Sequence, residues 1–200
     1  MMGVRTLFAT RLYEAELADE RLLEALGHSM RTMAQDDDAG RRWSSRHRYP
    51  GYTSYASLDD LPKRDPAFAE LGKILARHAI KFVDECAFEL KRKPRLDSLW
   101  VNLLKGGGHH AGHIHPHSII SGTLYVEVPK GSGPIRFEDP RLPLMMSAPP
   151  RRKDAPPELQ TFVSVEPRPG MLLLWESWLR HEVLPGSGRA ERLSISFNFA

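Results

Sequence analysis

Residues 192–199 read Arg-Leu-Ser-Ile-Ser-Phe-Asn-Phe, a strict alternation of polar and apolar side chains. Successive side chains of a β-strand point to opposite faces of a sheet, so this alternation predicts a strand with two different faces. Arg192 and Ser194 would lie on one face, and Leu193, Ile195 and Phe197 on the other. The stretch therefore predicts a sheet that separates a polar cavity from an apolar core.

A sequence pattern typical of β-strands extends back from this strand to Leu96. Short apolar or alternating runs are separated by Gly and Pro, at residues 99–104, 119–128, 135–137, 161–165 and 171–175. This spacing predicts an antiparallel β domain. Residues 147–160 contain four prolines, which a sheet accommodates poorly, and we interpret them as a mobile connection able to act as a lid.

Two helices are predicted before the β domain. Weak alternation near residues 7–13 suggests an opening strand, and apolar residues then recur at helical spacing until about Asp36. The second helix is capped by Asp65, has Pro66 in its first turn and carries an apolar stripe that continues to Leu90.

These elements together predict a mainly β chain, a double-stranded β-helix (jelly roll, cupin-like) with N-terminal helices packed on one outer face. We expect a single domain over residues 1–200. Residues 1–95 would form a helical support, and residues 96–200 the β-helix core that carries the site.

Composition excludes several classes of protein. The 200 residues are 41% hydrophobic and 26% charged, which is typical of a globular domain with a substantial core. No run approaches the roughly 18 apolar residues of a membrane span, and the N-terminus lacks a signal-peptide pattern, so we expect a soluble, cytoplasmic protein. The single Cys86 cannot form an internal disulfide, which fits a reducing compartment.

Charge gives little indication of a nucleic-acid partner. The formal net charge is +3, and acidic residues are interspersed with basic ones over most of the chain. The densest basic stretch, residues 41–49, mixes arginines with aromatic residues, a combination that suits phosphate contacts and base stacking. We interpret it as a solvated loop. The sequence favours no particular oligomeric state.

A cluster of histidines predicts a metal site. Five of the nine histidines fall within residues 106–117. Pro116 biases His115 toward an extended backbone, so His113 and His115 would project to the same side, about 6.6 Å apart. His113 and His117 would be about 13 Å apart, too far for adjacent ligand positions. The pair His115 and His117 remains open on spacing alone.

The remaining histidines narrow the choice of a third ligand. His109 and His110 stay in reserve within the cluster, and the only histidine later in the chain is His181. Neutral imidazoles are common ligands of first-row transition metals, and three protein ligands leave positions open for a substrate and dioxygen.

Arg192 predicts an anion-binding site in the same cavity. It follows His181 by eleven residues, on the polar face of the terminal strand. A buried guanidinium without a partner is costly, so it needs either an anionic ligand or an internal salt bridge. A dicarboxylate would suit its planar fork, and the Ser194 hydroxyl adds another donor.

The order Asn102, His113-Ile114-His115, Tyr125, His181 and Arg192-Leu193-Ser194 resembles the iron(II)- and 2-oxoglutarate-dependent oxygenase superfamily. The runs Ser-Gly-Thr-Leu-Tyr-Val at 121–126 and Phe-Glu-Asp-Pro-Arg at 137–141 are similar to those of a bacterial group of 2OG-Fe(II) oxygenases.

This resemblance implies an oxidoreductase with iron(II) as cofactor and 2-oxoglutarate and dioxygen as cosubstrates. Decarboxylation of 2-oxoglutarate would be coupled to hydroxylation of a further substrate. The metal ligands would be His113, His115 and His181. The residues that bind 2-oxoglutarate would be Arg192, Ser194, Tyr125 and Asn102, although Asn102 and Tyr125 could equally serve in packing.

One position departs from the family pattern, because His115 stands where a carboxylate is usual. Asp139 is a candidate for the missing carboxylate, although an Asp before a Pro more often serves a turn. Two alternative hypotheses follow from a three-histidine site. One is a cupin-like metal-binding or sensing module without turnover, and the other is a three-histidine dioxygenase that does not use 2-oxoglutarate.

Overall fold

The computed structural model describes residues 3–200, which contain ten β-strands and four α-helices. The helices are α1 (Glu20–Asp36), α2 (Asp38–Arg46), α3 (Leu61–Arg64) and α4 (Pro66–Glu85). The strands are β1 (Leu12–Glu16), β2 (Gly51–Thr53), β3 (Leu96–Leu104), β4 (His110–His113), β5 (Ile120–Glu127), β6 (Ile135–Glu138), β7 (Phe162–Val165), β8 (Met171–Glu176), β9 (His181–Val183) and β10 (Arg192–Phe199).

The strands form two antiparallel sheets that face each other across a cavity. The larger sheet has the order β1-β8-β5-β10-β3-β2, and the smaller has the order β4-β9-β6-β7. From β3 to β10 the chain changes sheet at every connection except one, the β6–β7 hairpin, whose two strands pair with each other in the smaller sheet. The predicted double-stranded β-helix is confirmed.

The alternation in β10 divides the structure into a cavity and a core. Leu193, Ile195 and Phe197 are fully buried against the helices. Arg192 and Ser194 line the cavity on the opposite face. The predicted division of this strand into two faces is therefore confirmed.

Two amphipathic helices cover the outer face of the larger sheet, as predicted. Leu22, Leu26 and Met30 of α1 are completely buried, and so is the predicted stripe of α4 up to Ala79. Burial of each large apolar side chain contributes about 1.5–3 kcal/mol relative to exposure. The Asp65 carboxylate caps α4 by accepting from the Ala67 backbone N–H at 2.8 Å.

The larger sheet contains strands from both the N-terminal part of the chain and the predicted β-helix core. Strands β1 and β2 come from the first 95 residues, yet they form the two edges of that sheet. One hydrophobic cluster runs from Leu22 in α1 to Phe199 in β10. We infer that the chain forms one domain in which the N-terminal support is built into the β-helix core.

Several element bounds differ from the sequence-based expectations. The opening strand starts only at Leu12, and α4 ends at Glu85, because Ala87 adopts a positive φ of 55° that closes the helix. The arginine-rich stretch, expected to be a loop, forms α2. Residues 147–160 contain no strand, as expected, but they include one short 3-10 turn at Pro157–Leu159.

None of the helices within residues 3–200 has the length and apolar character needed to cross a membrane.

Candidate metal centre and cosubstrate pocket

The structure brings the three predicted histidines together. His113 and His181 lie directly opposite each other in the pairing of β4 with β9. His115 follows β4, and its backbone N–H donates to the Ser177 carbonyl at 3.0 Å. One ring nitrogen from each of the three histidines lies within 4.8 Å of the other two. A single metal ion can therefore be reached by all three.

Hydrogen bonds select which nitrogen of each ring is available. The Nδ1 atoms of His113 and His181 bond to the backbone carbonyls of Ala111 and Leu179, at 2.8 and 2.9 Å. His115 Nδ1 bonds to the Asn198 side-chain oxygen at 2.7 Å. A carbonyl oxygen can only accept, so each Nδ1 must carry the proton. Each Nε2 then keeps its lone pair for a metal.

Burial favours the neutral form of the His181 and His115 imidazoles, which is the form that binds metals. Burial lowers the pKa of His181 to about 3, and the neighbouring His113 ring lowers it further. Burial also lowers the pKa of His115, against the opposing effect of its hydrogen bond to Asn198. Neither ring has to lose a proton at neutral pH before it can coordinate an ion.

Asn198 is held by a buried network of hydroxyl groups. Its side-chain oxygen also accepts from Ser121 Oγ at 2.8 Å, and its amide nitrogen donates to Ser98 Oγ at 3.1 Å. Ser121 Oγ in turn bonds to Ser177 Oγ at 2.8 Å. The direction of the amide is fixed on both sides, so it presents its oxygen to His115.

The histidines open into a cavity between the two sheets. It has about 510 Å³ of empty space, part of which is open to solvent. Its walls contain the three histidines, Arg192, and residues from both sheets: Trp100, Asn102, His110, Gly122, Thr123, Tyr125, Ile135, Trp175, Val183, Ser194 and Ser196.

Arg192 lies in this cavity as a buried cation without a carboxylate partner. It is 4% exposed and makes no ion pair within residues 3–200. Its Nη1 donates to the Gly133 carbonyl at 2.9 Å, whereas its buried Nε has no hydrogen-bond partner in the described part of the chain. Burial lowers the pKa of this guanidinium. The alternative of an internal salt bridge is therefore excluded within these residues.

Residues 98–198 match the family model described as "Putative 2OG-Fe(II) oxygenase". The chain belongs to this family. Oxygenases of the family use iron(II) and 2-oxoglutarate, with dioxygen as the second cosubstrate. A search of curated proteins found no match to the chain.

Solved structures share the fold of this oxygenase. A prolyl-4-hydroxylase from Pseudomonas putida has a TM-score of 0.63 and 17% identity, covering 95% of this chain and 92% of its own. The carbocyclase SnoK from nogalamycin biosynthesis has a TM-score of 0.66 and 10% identity, covering 96% and 79%. HygX from Streptomyces hygroscopicus, solved with nickel and 2-oxoglutarate bound, has a TM-score of 0.58 and 12% identity, covering 96% and 82%.

The other predicted cosubstrate residues of the oxygenase lie around Arg192. The β10 register places Ser194 between Asn102 on β3 and Tyr125 on β5, and all three side chains line the cavity. The guanidinium carbon of Arg192 lies 5.5 Å from the centre of the Tyr125 ring. Burial raises the pKa of Tyr125 to about 12, so its hydroxyl remains a donor.

The Asn102 amide is already engaged by protein partners. Its oxygen accepts from Thr53 Oγ1 at 2.9 Å and from the Tyr49 hydroxyl at 3.2 Å, and its nitrogen donates to Ser196 Oγ at 3.1 Å. The amide nitrogen carries a second N–H, from which a cosubstrate could accept without displacing these partners. Both roles that the sequence left open for this residue, cosubstrate binding and packing, are compatible with these contacts.

Three reserve candidates for the metal, Asp139, His109 and His117, lie outside the cavity, whereas His110 lines it but is not part of the histidine cluster. Asp139 is outside the histidine cluster, and its carboxylate forms a two-pronged contact with the Nε and Nη2 atoms of Arg141 at 2.9 and 2.8 Å. It therefore serves a turn. His109 and His117 are exposed, and His117 has a positive φ of 70° that turns the chain away after Pro116.

The cavity wall also contains Trp100, His110 and Trp175, to which the sequence assigned no role, and Tyr49 lies behind His110. His110 Nε2 bonds to the Tyr49 hydroxyl at 2.8 Å, and burial together with Arg192 lowers the pKa of His110 to about 3. Trp175 is 2% exposed and packs edge-on against His181, with ring centres 4.7 Å apart, and its Nε1–H has no partner within residues 3–200. The density of histidines pointed to His110, but no local pattern marked the other three.

Proposed function

We propose that this oxygenase holds iron(II) through the Nε2 atoms of His113, His115 and His181 and binds the distal carboxylate of 2-oxoglutarate through Arg192 and Ser194. The decarboxylation of 2-oxoglutarate is coupled to hydroxylation of a C–H bond in a primary substrate. One observation carries this assignment: a buried, unpaired guanidinium shares a cavity with three converging imidazoles.

The donor set fits iron(II). Imidazole nitrogens suit this ion, and three protein ligands leave coordination positions for the 2-oxo acid end of the cosubstrate and for dioxygen. Iron(II), when bound, supplies the activation of dioxygen and the oxidative decarboxylation that the protein's own side chains cannot perform. The protein's own side chains bind and orient the cosubstrate and exclude water from the site.

Arg192 has the properties of a carboxylate anchor. Its planar guanidinium can grip a carboxylate with two parallel hydrogen bonds, and Nε is one of the donors that such a grip uses. The Ser194 hydroxyl and the Tyr125 hydroxyl line the same end of the cavity and can add donors. A carboxylate here would satisfy Nε, the buried guanidinium nitrogen that has no hydrogen-bond partner within residues 3–200.

Aromatic side chains close the cavity behind the metal ligands. Trp175 and Phe137 pack against each other with ring centres 5.3 Å apart, and both rings contact His181. They give the buried ligand an apolar wall that keeps bulk water from one side of the site. Electrostatic interactions within the cavity are stronger in such surroundings than in water.

The histidine at position 115 changes the charge of the centre. Three neutral imidazoles add no negative charge, so, with the distal carboxylate paired to Arg192, only the carboxylate at the 2-oxo acid end of 2-oxoglutarate would offset the charge of iron(II). The partner of His115 is the neutral Asn198 amide rather than a carboxylate, which keeps the surroundings of the ion uncharged. Because the protein ligands do not neutralise the charge of the metal ion, that charge favours binding of the dianionic cosubstrate.

Neither alternative hypothesis gives Arg192 a functional role. A dioxygenase that ignores 2-oxoglutarate, or a module that only binds metal, gains nothing from a buried cation that costs several kcal/mol when unpaired. The cosubstrate-dependent oxygenase is the hypothesis that gives this residue a role.

The test begins without dioxygen. We expect that adding iron(II) and then 2-oxoglutarate to the metal-free protein produces a visible charge-transfer band, which neither reagent gives alone. Subsequent exposure to dioxygen should release succinate, even in slow turnover without a primary substrate. If neither the band nor succinate is formed, the proposed function is wrong.

A further inference from the structure

Three aromatic side chains lead from the histidine cluster to the protein surface. The Trp100 ring lines the cavity, and its centre lies 5.8 Å from that of His115. The Tyr55 ring lies 5.3 Å from Trp100, and the Trp43 ring lies 5.9 Å from Tyr55. We call Trp100, Tyr55 and Trp43 the aromatic row.

The aromatic row is not part of the hydrophobic core. None of its residues belongs to either buried cluster, Tyr55 is 62% exposed, and both tryptophans are half-buried. Adjoining aromatic surfaces that remain open to solvent beside a cavity are typical of binding sites. Because one end adjoins the histidine cluster, a molecule lying on the row would reach the metal centre.

Helix α2 adds positive charge to the outer end of the row. Arg46 follows Trp43 by three residues, so the two side chains are neighbours on the helix surface. Arg42, Arg46 and Arg48 are exposed, and none of them makes an ion pair within residues 3–200, whereas Arg41 pairs with Asp38. These three arginines are available to an anionic partner.

Helix α2 is anchored to the strands beside it, so its arginines keep a fixed position relative to the aromatic row. Ser44, one residue after Trp43, is buried, and its hydroxyl accepts from the Thr53 backbone N–H at 3.2 Å. Thr53 in turn bonds to Asn102 in the cavity wall. The orientation of Trp43 toward Tyr55 is thereby tied to the strand that carries the cosubstrate pocket.

We propose that the aromatic row and the α2 arginines bind the primary substrate, and that this substrate is a small molecule with a flat aromatic ring and a phosphate group, as in a mononucleotide. The ring stacks on Tyr55, whose plane is inclined by 74° to that of Trp100, and the phosphate is bound by Arg46 and Arg42. The reaction of this molecule rests on the proposed function, but its binding does not.

The charge distribution favours a small molecule over a nucleic-acid strand. The unpaired arginines beside the aromatic row are confined to one nine-residue helix and the residues just after it. A strand would be expected to follow a basic groove that neutralises many successive phosphates. The chain as a whole has a formal net charge of only +3.

Binding can be measured with adenosine 5′-monophosphate as the probe, by isothermal titration calorimetry on the metal-free protein. We expect this nucleotide to bind at least about tenfold more tightly than adenosine or inorganic phosphate, since each of these lacks one half of the recognised chemistry. Tyr55→Ala and Arg46→Ala should each weaken binding about tenfold. Tyr55→Phe keeps the ring and should bind normally.

Arg92→Ala is a matched control, because Arg92 is exposed on the turn after α4, makes no ion pair within residues 3–200 and lies outside the row. It should leave nucleotide affinity unchanged. The proposal is overturned if the nucleotide binds no better than adenosine, or if Arg92→Ala and Arg46→Ala weaken it equally. Tighter binding of a short oligothymidylate than of the nucleotide would also overturn it, in favour of a strand.

The two proposals fail in different ways. Nucleotide binding is measured without iron(II) or 2-oxoglutarate, so a negative result leaves the proposed function untouched. Conversely, absence of the charge-transfer band and of succinate would reject the metal and cosubstrate assignment while nucleotide binding stayed measurable.

Discussion

The two ends of the cavity differ in how completely the protein satisfies the side chains that would bind a ligand. At the histidine end each Nδ1 has an oxygen acceptor, and Asn198 is itself held by serine hydroxyls. At the arginine end the Nε of Arg192 has no partner within residues 3–200. One end is organised before any ligand binds, whereas the other is complete only when an anion is present.

Removing His181 tests the organised end and should have the largest effect. His181→Ala takes away one of three converging nitrogens and opens a gap beside Trp175, so we expect loss of iron(II) binding and of succinate formation to background. His117→Ala is the matched control, because that histidine is exposed and outside the cluster. Succinate formation that survives in His181→Ala would defeat the metal assignment.

Removing Arg192 tests the incomplete end. Arg192→Met keeps much of the side-chain volume but none of the donors, so we expect 2-oxoglutarate affinity to fall about 100-fold while iron(II) affinity changes little, a loss typical of a charge-assisted pair. Anaerobic titration followed by the charge-transfer band measures both. Equal loss of metal and cosubstrate binding would indicate that Arg192 supports the structure instead.

Asn198 tests whether the organisation behind the ligands matters. Asn198→Ala removes the acceptor that fixes the His115 ring, and we expect iron(II) affinity to fall by about 10–100-fold. Ser98→Ala removes only the outer contact to the Asn198 amide and should have a much smaller effect. If both variants bind iron(II) like the parent protein, the tautomer of His115 does not depend on this network.

The smallest expected effect is a change in thermal stability. It tests directly whether the unsatisfied guanidinium at the arginine end destabilises the ligand-free protein. An unsatisfied buried donor costs about 1–3 kcal/mol, so Arg192→Met should raise the melting temperature of the ligand-free protein by a few degrees. Anaerobic addition of iron(II) and saturating 2-oxoglutarate should then stabilise the parent protein more than the variant. A variant that melts below the parent protein without ligand would show that the guanidinium stabilises the empty cavity.

The sequence predicted the parts of the fold that have a clear period. The alternation of β10 and the apolar stripes of α1 and α4 correspond to the observed faces. Strands β4 and β9 contain four and three residues, too few for a period to be recognised. Helix α2 was hidden because its charged residues and its short length gave no apolar stripe.

The candidate site was predicted where the chemistry was concentrated in sequence. The dense histidine cluster and Arg192 stand out by residue type, and the structure brings them to one cavity. The aromatic row could not be predicted, because Trp43 in α2, Tyr55 in the turn after β2 and Trp100 in β3 are brought together only in the folded chain. Asn198 was hidden for a similar reason, since nothing local connects it with His115.

The irregular pairing of β4 has a consequence for insertions and deletions in this strand. His110 pairs with Val183 and His113 with His181, so three steps along β4 match two along β9. In a regular strand, side chains three residues apart point to opposite sides, yet His110 and His113 both line the cavity. A single-residue deletion at Ala111 or Gly112 would leave the two histidines two residues apart in an even ladder, where both imidazoles still point to the cavity, so we expect this strand to tolerate the loss of its extra residue.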